Sequence, residues 1–189
     1  MERGLHRYSG MEPQTSPVHT ADTRANLEKT SERQLGRAPS KAAIAGHPIH
    51  PMLVPFPIAL LSLVPVTDIA FAVTESVFWA SVSYYGLWAG LVGAGLAGLV
   101  GLIDFIGVPR ARSVRAGWAH LFLNVAIVAL ATVNLILRGG DTIVHILPAG
   151  LILSIVVAGL LLASGWFGGE LSYRHEIGVI GPDEPPVRR

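Results

Sequence analysis

Hydrophobic and polar positions along this chain fall into long blocks. Four apolar windows, residues 52–73, 84–106, 118–137 and 148–167, are separated by short polar segments. Each holds about 20 residues, the length a helix needs to cross the hydrocarbon core of a bilayer. The first carries one charge, Asp68, and the second carries Asp104 near its end. The third has no Asp, Glu, Lys or Arg but contains His120, Asn124 and Asn134. The fourth is uncharged; Pro148 at its start suits a first helical turn, and the pair Gly168 and Gly169 is expected to end it. A soluble all-helical core is the alternative, and four consecutive windows of this length and low polarity argue against it. The expected fold is all-α, an integral membrane four-helix bundle.

Charge sorts the rest of the chain. Of 189 residues, 51% are hydrophobic and 14% charged, against roughly 25% charged in soluble proteins. Residues 1–43 hold 12 of the 27 charged side chains, and residues 52–169 hold only eight. The tail 1–43 mixes Ser, Thr, Pro and both charge signs without apolar periodicity, a composition expected to be disordered. Residues 44–180 then form the membrane domain and 181–189 a short C-terminal tail. The tail has no apolar core of a secretory signal, so the first window is expected to remain as a span. Net charge is +1, with no basic excess to follow a phosphate backbone, which argues against nucleic acid as a partner. Without cysteine there is no disulfide, thiolate ligand, thiol nucleophile or covalent haem attachment.

Four spans put the N-terminal tail, the loop 107–117 and the C-terminal tail on one side, with 13 of the 14 Lys and Arg residues. Only Arg138 is opposite. This asymmetry predicts that both termini are cytoplasmic. Trp79, Tyr84, Tyr85, Trp88, Trp118 and Trp166 fall near span ends, where interfacial aromatic rings are expected. The bilayer is thus the first partner.

Helical spacing, at about 100° per residue, identifies two unusual faces. In the third window His120, Asn124, Ile127, Ala131, Asn134 and Arg138 share one line, a polar stripe suited to interhelical hydrogen bonds. In the second, Gly86, Gly90, Gly93, Ala97, Gly101 and Asp104 share one face; such a face permits close helix packing or leaves a groove for a flat cofactor. Ahead of the first window stands Gly46-His47-Pro48-Ile49-His50-Pro51. A residue before proline is biased to extended backbone, so a polyproline bracket is expected to aim both imidazoles the same way.

Ionisable groups within a span are expensive and usually functional. His47, His50, Asp104, His120 and His175 are all expected at the cytoplasmic level of the bundle. Toward the other side, Asp68 and Asn134 lie at matching depth on helices running in the same direction. Arg138, one turn further, can neutralise Asp68 as an ion pair, with a proton relay as the alternative.

Three blocks carry a resemblance: Gly46 to Ile58, then Gly101 to Phe105 with Ala119, His120 and Asn124, and finally Gly165 to His175 with Gly178 and Val179. In these the chain resembles the bacterial four-helix membrane proteins catalogued as domain of unknown function 2231. The resemblance implies a multi-pass bacterial inner-membrane protein and, because some relatives are joined to a Rieske-type iron–sulfur domain, an electron-transfer setting. This chain, lacking cysteine, supplies no ligand of that kind itself. The matching motif positions are His47, His50, Asp104, His120, Asn124 and His175. Glu176 stands where the family usually has glycine.

The first functional reading is a redox or cofactor-binding bundle. Its histidines, His47, His50, His120 and His175, would ligate b-type haem or a transition metal, with Asp104 or Asn124 orienting an imidazole through its second nitrogen. A membrane redox partner or a second copy of the chain would complete it. Proton or small-solute transport through Asp68, Asn134 and Arg138 is the second reading, and a structural accessory subunit the third. No nucleophile–base pair, phosphate-binding loop or zinc-protease spacing points to a stand-alone enzyme.

Overall fold

The computed structural model describes Thr23, Asn26, Ala38 to Gly139 and Ile143 to Val179. The chain divides near residue 37, and its second unit, Arg37–Arg189, carries the bundle. Most of the tail expected to be disordered, and the segment after Val179, lie outside the described residues.

The described elements are β1 (Ala43–Ile44), β2 (His47–Pro48), α1 (Ile49–Leu53), α2 (Pro55–Thr74), α3 (Val77–Gly107), α4 (Pro109–Ser113), α5 (Arg115–Arg138) and α6 (Leu151–Tyr173). A π-helical turn, Ile146–Gly150, with a cis Leu147–Pro148 peptide leads into α6. Four helical stretches are long and apolar enough to span a membrane: Ile49–Thr74, Val77–Gly107, Arg115–Arg138 and Ile146–Tyr173. All outrun the windows read from hydropathy, because interfacial turns stay helical after apolarity ends. The fourth runs past Gly168 and Gly169 to Tyr173. A Cβ on Gly168 would stand 3.2 Å from the His120 ring, so this glycine serves close approach and not helix termination.

On α5 the inward face is the one that helical spacing selects, with Ile127, Ala131, Asn134 and Arg138 buried; on α3 Gly90 and Ala97 of the selected face are buried, but so are Ser83 and Leu87 outside it, and Gly86 meets no neighbour within 4 Å. The central core joins Leu61, Val64, Leu87, Ile127, Ala131, Val157 and Leu161. Large apolar side chains elsewhere, such as Phe56, Leu99, Ile136 and Leu162, face outward, as lipid contact requires.

The segment before the first span is not a polyproline bracket. Ile44 pairs with His47 and Ala43 with Pro48 across a two-residue turn. Both turn residues, Ala45 (φ 50°) and Gly46 (φ 81°), have positive φ, as the turn matching strand twist demands. Pro48 is extended and hands over to α1; Pro51 falls in its first turn, where no N–H is needed. His47 therefore belongs to a strand and His50 to a helix. Ala45→Gly is expected to stabilise the protein by about 1 kcal/mol, since alanine is strained at positive φ. Thermal unfolding in detergent measures this.

A strap, Ala38 to Ala42, precedes the hairpin. Ala38 donates its N–H to Glu176 O and accepts from Gly178 N–H. Its side chain joins Val108, Ala111, Phe105 and Ile177 in a small apolar cluster. Glu176 has φ 50°, a conformation that favours glycine, which accounts for the glycine expected there by resemblance.

Candidate functional site

Two polar layers sit at opposite ends of the apolar core. At the hairpin end, α1 brings His50 against the glycine face of α3. A Cβ on Gly101 would stand 2.7 Å from the His50 ring, so only glycine leaves room for it. His50 Nδ1 lies 2.8 Å from Ala97 O. On α5, His120 Nδ1 lies 2.9 Å from Ser164 O. A carbonyl only accepts, so each Nδ1 carries a proton and Nε2 is the nitrogen left to act as a ligand. The two rings meet edge to face with centroids 6.3 Å apart. Neither Nε2 has a hydrogen-bond partner among the described residues, and no occluded side-chain nitrogen or oxygen there is without one. Both Nε2 atoms therefore reach accessible space.

Asn124 and Ser164 brace His120 from behind. Asn124 Nδ2 donates to His120 O and to Ser164 Oγ, both at 2.7 Å, and Ser164 Oγ is 3.1 Å from His120 Nδ1. Asn124 thus acts through Ser164 and the helix backbone, not directly on an imidazole nitrogen as expected. Asp104 does not orient a histidine through any bond described here. Its carboxylate accepts Ser40 Oγ–H (2.8 Å), Lys41 N–H (2.7 Å) and Ala42 N–H (2.9 Å). It holds the strap in place.

The other expected ligands separate. His47 bonds Ala45 O within its own turn, at 3.0 Å, and is exposed. His175 lies 4.0 Å from Glu170. Among the described residues no three His, Asp or Glu side chains converge as a metal cluster. Hence the four-histidine set expected from topology contracts to the pair His50 and His120. Backbone direction explains this: the hairpin turns His47 away, and α6 continues to Tyr173 before the chain reaches His175.

The glycine face is not an open groove. A Cβ at Gly90 would strike Leu61 at 2.6 Å, and one at Gly93 would meet Pro57 at 3.3 Å. The first span fills the space that a flat ring would need.

The opposite layer draws one or more residues from every span. Arg138 Nη1 and Nη2 donate to the two oxygens of Asp68 at 2.8 Å. Nε donates to Asn134 Oδ1 at 2.8 Å, Nη1 also to Ser83 Oγ at 2.6 Å, and Nη2 to Ser154 Oγ at 3.2 Å. All five guanidinium protons are engaged. Ser83 and Ser154 donate in turn to Asp68. Asn134 Nδ2 donates to Gly150 O at 3.1 Å and to Ser154 Oγ at 3.0 Å. Both charged side chains are 0% exposed. Forked pairing of this kind is the strong form of ion pair, and in lipid each unmet polar group is costly. Each Asp68 oxygen accepts two hydrogen bonds, and the apolar core stands between this network and the histidines.

Ser83, Ser154 and Ser164 carry no charge, and charge and hydropathy alone do not single them out. A signal was present: Ser154, Val157, Leu161 and Ser164 recur at helical spacing, and all four are buried.

With this geometry in hand, the class is an integral membrane four-helix protein. Its residues 46–181, more than two thirds of the chain, match the family model described as Predicted membrane protein (DUF2231), and the chain belongs to that family. No curated protein and no solved structure matches it. The strap Ala38 to Ala42 precedes the matched region.

Proposed function

We propose that the bundle holds one transition-metal ion between His50 Nε2 and His120 Nε2, at the end of the membrane domain that carries the hairpin. One observation supports this above the rest: two imidazoles from different spans have their Nδ1 protons fixed by backbone carbonyls and their Nε2 atoms exposed within 6.3 Å of ring separation. A ligating histidine is normally set this way, its other nitrogen donating to a carbonyl or carboxylate. Imidazole favours zinc, copper, iron or nickel. Two imidazoles leave coordination positions open, where a substrate, a redox partner or a second copy of the chain would bind. A lone metal ion suits the pair better than b-type haem, because Leu61 and Pro57 occupy the glycine face. The distribution of Lys and Arg supports placing this end at the cytoplasmic face of a bacterial inner membrane.

The test is metal analysis of the detergent-purified chain after loading with zinc or copper and desalting. Stoichiometric metal is expected in the parent and in the His47→Ala and His175→Ala variants, with loss in His50→Ala and His120→Ala. Gly101→Ala, which pushes His50 aside, is expected to weaken binding while the protein still elutes as folded material. Absence of stoichiometric metal from the parent, or equal loss in His47→Ala, would refute the proposal.

A further inference from the structure

The corner between the second and third spans joins two chemistries. Helix α4 turns Ala111 inward, 5% exposed, beside the buried Val108, and leaves Arg112 on the outside; Arg115, also exposed, opens α5. Among the described residues no carboxylate pairs with Arg112 or Arg115. Asp104, on the neighbouring helix, already takes the strap.

Directly beneath lies an aromatic wall. Trp118 donates its indole N–H to Arg112 O at 3.0 Å, which fixes the ring under the corner. It stacks on Phe122 with centroids 5.8 Å apart and a 28° tilt, and meets Phe105 edge to face at 5.0 Å. Trp118 is 43% and Phe122 63% exposed. In a membrane such a surface is covered by acyl chains, and arginines at the end of a span fall where lipid headgroups are expected.

We propose that this corner binds an anionic phospholipid, its phosphate on Arg112 and Arg115 and one acyl chain along Trp118 and Phe122. The cations select the headgroup charge, and the wall requires an attached chain. Zwitterionic lipid brings a compensating ammonium to the same place and gains less. A soluble phosphate has nothing to lay on the aromatic face.

The experiment uses the full chain in nanodiscs containing brominated phosphatidylglycerol or brominated phosphatidylcholine, with quenching of Trp118 taken as the difference between the parent and Trp118→Phe. Quenching is expected to favour phosphatidylglycerol, and each of Arg112→Gln and Arg115→Gln to reduce that preference about fivefold, the worth of one cation at a membrane surface. Native mass spectrometry of the same variants gives a second measure of retained lipid and shows that they are folded. Equal quenching by both lipids, an undiminished preference in the double variant, or competition by inorganic phosphate would overturn the proposal.

Discussion

Arg138→Met is expected to cost about 3–5 kcal/mol, the range for removing one partner of a buried ion pair. The loss does not come mainly from the attraction given up. Asp68 is 0% exposed, and without the guanidinium its charge has only Ser83 and Ser154 as donors in surroundings that water cannot reach. Asn134 Oδ1 also loses the Nε proton it accepts. Removing both charges together, as Asp68→Leu with Arg138→Met, is expected to recover most of the stability, because charge-free replacements of similar volume spare the desolvation cost. Reversible unfolding in mixed detergent micelles, followed by far-ultraviolet circular dichroism, yields both values. A single variant as stable as the parent would show that the network contributes little.

Gly117→Ala is the second large effect. A Cβ at this position would lie 1.9 Å from the carbonyl oxygen of Ala111, and its next neighbour, the carbonyl carbon, is also backbone. No rotamer change relieves such a contact; α4 and α5 must move apart. Overpacking costs about 1–3 kcal/mol where side chains yield, and this substitution is expected at or above the upper bound, seen as loss of folded protein on size-exclusion chromatography. Gly98→Ala is the control: nothing lies within 4 Å of its added Cβ. There alanine is expected to gain about 0.5–1 kcal/mol through helix propensity.

The spans and their inward faces were legible because helix period and hydrophobicity act locally. The stripe from His120 to Arg138 fixes which side of α5 turns inward, and the matching depth of Asp68 and Asn134 puts Asp68 within reach of Arg138, one turn further. Contacts made by chain without a period were not legible. Asp104 binds backbone N–H groups of the strap, and backbone donors leave no mark in a sequence. The Ala45-Gly46 turn escaped for a related reason: alanine rarely takes positive φ, so its neighbours His47 and Pro48 suggested extended backbone instead. Gly168 was read as a helix end because glycine has two uses, and spacing alone does not distinguish a cap from room for an imidazole. The serines were hidden by their modest polarity; they matter only once a buried charge needs their hydroxyls.

All four spans are riveted together at the Arg138 level, whereas at the hairpin end hydrogen bonds join them in pairs, the first to the second through His50 and Ala97 and the third to the fourth through His120 and Ser164. A relative tilt of the two pairs would pivot about that rivet. Asn134 and His120 are separated by roughly 21 Å of helix at 1.5 Å per residue. At that radius a tilt of about 3° carries an imidazole through about 1 Å, well beyond the tolerance of about 0.2 Å on a metal–ligand bond. If the histidines hold a metal as proposed, the distant ion pair would set how accurately they are aimed, and loosening it would blur their geometry without touching either ring.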